Sequence, residues 1–379
     1  MKQILWNNIR KTVLRFCLPA AGITLFLLWA VWLNRTDRLD LVNTHGQTFE
    51  KGTVEKILVD NLQQDGTRTG EQTVTVSMRT GVEKGKEITC TSSSGFLFGA
   101  ACTPGMKVIV LQSVSGDTAV ATVYSRDRGL QLLLFAAAYL GALCLTGGKK
   151  GLRGALGLAF TFASIIYLYL PMIYRGYSPF WTAVFICVIT TLVTLGLIGG
   201  LTRKTLAATA GTLAGVLFAG LTAEAFSLST GITGWNVSDI ETLITLWDTS
   251  GIGVGGLLFS GLLISSLGAV MDASMSVSSS MQEICKQNPS ISRKELIRAG
   301  LRIGRDLMGT DSNTLILAFA GGSVSMLVLD YAYALPFLQI INSNNIGVAV
   351  MQGLAGSFGV VFSIPATVFL AGLFYRHRT

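Results

Sequence analysis

Apolar and polar positions along this chain fall into two regimes. Uninterrupted apolar blocks lie near 17–33, 129–146, 154–173, 179–200, 206–226, 251–271, 312–332 and 346–375. Each is long enough, or nearly so, to cross the roughly 30 Å of hydrocarbon in a bilayer as a helix. The second regime fills 34–127, where apolar and polar residues alternate. Thr73-Val74-Thr75-Val76-Ser77-Met78 is the clearest run, and 52–60, 87–91, 107–111 and 119–124 repeat the pattern. Period two puts alternate side chains on opposite faces of a strand, and Gly81-Val82-Glu83-Lys84-Gly85 and Thr103-Pro104-Gly105 supply turns between the runs. The pattern predicts an α-helical polytopic membrane protein of about eight transmembrane helices. A small all-β domain of five or six strands, a barrel of the OB or SH3-like kind, is inserted between helices 1 and 2. The chain then divides into 1–33, a basic N-terminus and membrane anchor; 34–127, the β domain; and 128–379, a seven-helix membrane domain.

The first block has the basic start and apolar core of a signal peptide, with Lys2, Arg10, Lys11 and Arg15 ahead of it. Its end, Ala30-Val31-Trp32-Leu33, offers no small-x-small cleavage site, so an uncleaved signal anchor is expected. Two amphipathic segments are also expected. Ser238-Asp239-Ile240-Glu241 opens one with a capping-box pattern and carries Trp247 towards the outer headgroups. Ser292-Arg293-Lys294-Glu295 opens the other, within a cytoplasmic link at about 284–304.

Composition agrees with this division. Of 379 residues, 50% are hydrophobic and 13% charged, where a soluble domain carries about a quarter charged residues; the mean hydropathy is +0.55. The net charge of +8 reports topology, not nucleic-acid binding. With the N-terminus inside, Lys149, Lys150, Arg153, Arg203, Lys204, Lys286, Arg293, Lys294, Arg298, Arg302, Arg305, Arg376 and Arg378 all fall on the cytoplasmic side. The short outer connections hold Glu224, Asp239, Glu241, Asp248 and Asp330, with Arg175 as the lone cation. Both termini are therefore expected in the cytoplasm of a cell whose plasma membrane holds the chain, with 34–127 outside.

Chemistry is sparse. His45 and His377 are the only histidines, and there is no phosphate-binding GxxxxGK[ST] run, no HExxH and no CxxC. We expect no catalytic residue, no metal and no cofactor. Cys90 and Cys102, alone in the β domain, offer a possible disulfide on the outer side. One region stands out, 262–322. On a continued helix, Asp272, Ser276, Ser279 and Glu283 share a face at i, i+4, i+7 and i+11, with Ser274, Ser278 and Ser280 nearby. On the return limb Arg302, Arg305, Asp306, Gly309, Ser312 and Asn313 form a second polar ridge, with Asp311 beside it. A carboxylate at membrane depth is costly unless paired or hydrated. Two roles are therefore open: a proton-coupling network of Asp272, Arg305 and Asp306 with Ser276, Ser279 and Asn313 lining a hydrated path, or a static ion pair of Asp272 with Arg305 or an Asn313 hydrogen bond. Glu224 is a second transport-path candidate. Gly353, Gly356 and Gly359 recur every third residue ahead of Pro365, and Gly321-Gly322 interrupts the seventh span; these and Gly309 mark helix packing or hinges.

Gly268-Ala-Val-Met-Asp272-Ala-Ser-Met-Ser276, Gly304-Arg305-Asp306-Leu-Met-Gly309-Thr, Asn313-Thr-Leu-Ile-Leu-Ala318 and Gly356-Ser-Phe-Gly359-Val-Val-Phe-Ser-Ile-Pro365 together resemble the YibE/F-like family of bacterial multi-spanning membrane proteins. The outer β domain after one span looks like the YibE type. The resemblance implies a permease, with a small-molecule or lipid substrate and either a YibF-like subunit or a second copy as partner. A weaker likeness to proton-driven RND and SecD/SecF-type export permeases lies in the order of anchor, outer domain, aspartate-bearing helix and link; two extra spans depart from it. The alternative expectation is an accessory or assembly protein whose β domain binds a partner.

Overall fold

The computed structural model describes residues 18–35, 46–64, 66–93, 99–115, 118–237 and 240–375. The basic N-terminus, Ser238, Asp239, His45 and His377 lie outside the described residues. The chain forms two compact units, 40–142 and the remainder.

In the first unit five strands close a barrel in the order β1-β2-β3-β5-β4: β1 Gln47–Val59, β2 Gln72–Met78, β3 Glu87–Ser92, β4 Lys107–Ser115 and β5 Thr118–Arg126. β3 meets β5 in parallel and the other pairs are antiparallel. Alternation sets the core: β2 reads buried at Gln72, Val74, Val76 and Met78, and these face Val54, Cys90, Val108, Val110 and Val123. β1 starts five residues earlier than the alternation at 52–60 indicated. It pairs with β4 through its first half and β2 through its second. Gly52 stands at the changeover with the Val76 side chain against its Cα, so the glycine makes room for a neighbour within the strand and is not its boundary.

Cys90 and Cys102 are buried and free; the disulfide that their isolation suggested is not formed. Each thiol faces the apolar core, Cys90 Sγ at 4.0 Å from the Ile88 oxygen of its own strand and Cys102 Sγ at 3.4 Å from the Ala100 oxygen in the loop before β4. Burial pushes the Cys90 thiol up to about 12. One end of the barrel is closed by Asp60, whose Oδ1 accepts from Arg68 Nη1 and Gln72 Nε2, both at 2.7 Å.

The second unit is helical, beginning with α1 Leu18–Asn34. α2, Gly129–Ser164, starts in the first unit and contains a break at Gly148 (φ 53°, ψ −134°). Gly151 packs on the Leu143 carbonyl, a contact that a straight helix would not allow at that separation, so the chain turns there. A π-helical turn, Ile165–Tyr169, leads into α3 Leu170–Tyr174. Then come α4 Pro179–Gly199, α5 Arg203–Thr230, α6 Ile240–Ser250, α7 Leu257–Gln287, α8 Arg293–Gly322, α9 Val324–Ala332, α10 Phe337–Ile341 and α11 Asn344–Phe374. Among the described residues five helical runs are long and apolar enough to cross a membrane, and six if α8 and α9, bent by 56°, count as one. Gly129–Tyr174 is one of these runs despite its turn. The chain is thus a helical membrane protein with a five-stranded barrel.

The core of this unit is the contact of α5, α7 and α11. α5 and α11 approach closely enough that a Cβ on Gly359 would lie 2.9 Å from Ala219 Cβ and 3.0 Å from the Gly215 oxygen. Small residues permit this, and Thr212, Ser363 and Thr367 turn their hydroxyls onto carbonyls of their own helices. Pro365 sits inside α11.

Candidate functional site

α7 is entered through a 3₁₀ turn, Val254–Gly256, after the glycines at 251–256. Its buried line of Leu262, Leu263, Ser266, Val270, Ala273, Val277 and Met281 follows helical spacing. The opposite line, Gly261, Ser265, Gly268, Asp272, Ser276 and Glu283, is exposed, with Ser279 half-buried. The polar face expected on this helix therefore exists, and it looks away from the bundle.

α8 begins with a capping box: Ser292 Oγ accepts from the Glu295 amide at 3.3 Å and Glu295 Oε2 accepts from the Ser292 amide at 3.1 Å. Only Leu296, Gly300, Gly304 and Leu315 of this helix are buried. Arg302, Arg305, Asp306, Gly309 and Asn313 are exposed along one side. Gly304 packs on Val277 and Ile364, and Gly356 of α11 meets Leu315 of α8 and Ser266 of α7; α8 therefore runs antiparallel beside α7 with α11 behind both.

α4 supplies a depth scale. Its Pro179 end touches Gly256 and its Gly199 end touches Met275, so residues 256–275 of α7, about 28 Å at 1.5 Å per residue, lie alongside an apolar span. Asp272 sits one turn inside the Met275 end. By the contacts of Gly304 and Leu315, Arg305 and Asp306 lie near the end of that scale, and Asp311 near the depth of Asp272. Asp311 is the charged neighbour whose field reaches Asp272.

The ion pairs among the described residues are Lys51–Asp127, Arg68–Asp60, Lys86–Glu83 and Lys286–Glu283. Asp272 is in none of them, so the pairing with Arg305 does not form, nor does Asn313 hydrogen-bond it. What the hairpin sets at similar depth is Asp272 and Asp311; Ser274 Oγ and Ser312 Oγ are buried without a protein partner, Ser274 on the bundle side of α7 opposite Asp272. Glu224 lies elsewhere. It is exposed towards the other end of α5, at an apolar groove of ≈ 450 Å³ lined by Phe180, Trp181, Leu217 and Leu221.

Two features escaped the sequence reading. Asp311 was seen only as lying beside a ridge, although it and Asp272 stand at nearly equal chain distances from the turn at Asn288–Ser292. The second is a node at the same end of the bundle. Ser278 Oγ donates to the Lys204 carbonyl at 2.9 Å, and the Tyr375 hydroxyl lies 2.7 Å from Ser278 Oγ and 2.9 Å from the Ser278 carbonyl oxygen. Burial pushes the Tyr375 phenol up to about 12, against the opposing effect of its Ser278 hydrogen bond. No local pattern marks these partners, which are far apart in the chain. Gly353 and Gly356 pack on α8 at Ile316 and Leu315, Gly359 packs on α5, and Gly309 has open space around it.

A family model described as YibE/F-like protein matches residues 135–377, which takes in α7, α8 and α11 and every residue of this constellation. No curated protein matches the chain, and no solved structure does.

Proposed function

The chain belongs to the YibE/F-like family, and from that premise we propose that it is a membrane transporter or export-assisting permease coupled to the proton gradient. Asp272 and Asp311 are its proton-exchanging groups. The observation that carries this reading is that two carboxylates, neither of them in an ion pair, lie at nearly the same depth on neighbouring helices, close enough for the charge of one to act on the other. Two such groups interact so that the protonation of one depends on the charge of the other. A small change in the spacing of α7 and α8 then takes up or releases a proton.

Ser276, Ser279 and Asn313 line the approach to the pair in this reading. Arg305 and Asp306 stand at the aqueous end. In the topology we favour, eight spans place both termini and the Lys204–Tyr375 end of the bundle in the cytoplasm, because the cations gather there. The barrel then lies outside, and the pair exchanges protons with the cytoplasm. The cargo is a small molecule or a lipid.

The test is infrared titration of the carboxyl groups in reconstituted membranes, with wild type, Asp272→Asn and Asp311→Asn. Coupled groups predict that either substitution changes the titration of the remaining carboxyl. Independent titration in the two variants overturns the pair. Native mass spectrometry of the same samples, with a bound small molecule or lipid present in wild type and lost in Asp272→Asn, would name the cargo.

A second reading has one observation in its favour. Phe49 and Tyr124 stand edge to face on the barrel surface, centroids 5.1 Å apart, and both are at least half exposed. Such a pair suits a docking contact, and an accessory role would then rest on the barrel. It predicts loss of function in a Phe49→Ser/Tyr124→Ser variant and indifference to Asp272→Asn.

A further inference from the structure

The α7–α8 hairpin presents to its surroundings a face that lipid does not suit. Ser265, Asp272 and Ser276 are exposed on α7, and Arg305, Asp306 and Asn313 on α8. Asp272 and Asn313 lie within the depth of the apolar spans. The same unit shows what a lipid-facing surface of this chain looks like: Leu217 and Leu221 on α5 and Leu192 on α4 are more than half exposed, and all are apolar. An ionisable group within a membrane faces a bundle interior, a hydrated cavity or a partner. Glycines add a second property. Gly261 and Gly268 on α7 and Gly309 on α8 meet nothing within 4 Å outside their own helix backbone, so another helix can approach this face closely.

We infer that this face is the interface with a second copy of the chain, the two related by a twofold axis along the membrane normal. Such an axis brings residues of equal depth together, so a face must complement itself. This one does. Arg305 and Asp306 are adjacent and exposed at one depth, which lets each copy set its arginine against the other's aspartate. Asn313, with both a donor and an acceptor on its side chain, can pair with its own counterpart. A face of one charge sign could not close in this way. The dimer also completes the site proposed above, since Asp272 and Asn313 then line a seam between two hairpins instead of a lipid boundary. The docking itself rests on the membrane reading of the chain, not on proton exchange.

The experiment places a photo-crosslinking amino acid at Ser276, Gly309 or Asn313 in the full chain, with Leu217 as control, and irradiates native membranes. The expected product is a species of twice the 40.4 kDa chain mass from the three hairpin positions and none from Leu217. Charge exchange supplies the independent measurement. Arg305→Asp should reduce the dimer at least tenfold, and Arg305→Asp/Asp306→Arg should restore it, because the swapped pair is again its own complement. Crosslinks from the hairpin only to lipid or to a different protein, or a double swap that restores nothing, overturn the inference. A dimer found together with independently titrating carboxyls would leave the interface standing and remove the proton-coupling reading.

Discussion

At the scale of single residues, Tyr375 shows how a side chain outside the reactive pair holds the site in place. Its hydroxyl reaches Ser278 on α7, which in turn caps the Lys204 carbonyl at the start of α5. Tyr375→Phe removes this bond and should cost about 1 kcal/mol, read as a lower midpoint of thermal unfolding in detergent. The pH dependence has a definite sign. A phenol raised from 10.0 to about 12 by burial keeps its proton in the folded chain at a pH where the unfolded chain has lost it. Its contribution is complete below pH 10, falls as the pH rises, and is gone above about 12. Wild type should therefore lose stability across that window more steeply than Tyr375→Phe; parallel curves would remove Tyr375 from the account. None of this was legible in the sequence, because a tyrosine at the end of a span is equally suited to the headgroups. Asp272 was legible, since a carboxylate following an apolar run is conspicuous for its solvation cost. Its neighbour was misjudged for an electrostatic reason: opposite charges were expected to meet, but Arg305 lies near the end of the apolar depth, where its guanidinium can remain hydrated.

At the scale of elements, hydropathy located the long apolar helices but not the number of spans, eight expected against five or six among the described residues, and period-two alternation located the strands, because both record burial of one face or of a whole element. The bend after Gly321-Gly322 and the capping box at Ser292 were readable from residue types with local consequences. The π-helical turn at Ile165–Tyr169 was not. It accompanies packing in which the Tyr169 hydroxyl bonds to Ser260, 91 residues away. Glycines divide in the same manner, since sequence showed a run of them in α11 but not which ones are filled against a neighbour. Gly359→Leu must displace Ala219 and the α5 backbone and should destabilise the bundle by about 1–3 kcal/mol. Gly309→Ala meets nothing within 4 Å and should be neutral or stabilising by up to about 1 kcal/mol through helix propensity. Denaturant unfolding of the two variants side by side decides the matter, and equal losses would mean that close packing is not what the glycines of α11 serve.

At the scale of the whole molecule, the two units have separate cores. The barrel encloses Val54, Val74, Val76, Cys90, Cys102, Val108 and Val110, and the bundle encloses Cys187 with Leu262, Leu263, Val270 and Val360. Each core thus contains buried thiols that serve as reporters without any added label site. Burial holds the Cys90 thiol up to about 12, so it is both inaccessible and protonated at neutral pH, and a maleimide should leave it unmodified while the barrel is folded. Val76→Asp places an unpaired charge in the barrel core, a substitution severe enough to unfold a unit of this size. The expected result is rapid labelling of Cys90 and Cys102 with Cys187 still protected, each site read by mass spectrometry of the labelled peptides. Gly359→Leu should act in the opposite direction, speeding the labelling of Cys187 and leaving the barrel thiols alone. That double pattern would let barrel and bundle be perturbed one at a time, which is what is needed to separate a permease working through Asp272 and Asp311 from a protein working through its barrel. Simultaneous loss of protection at all three thiols in either variant would mean that the two cores unfold as one cooperative unit, and then neither reading could be assigned by damaging one of them.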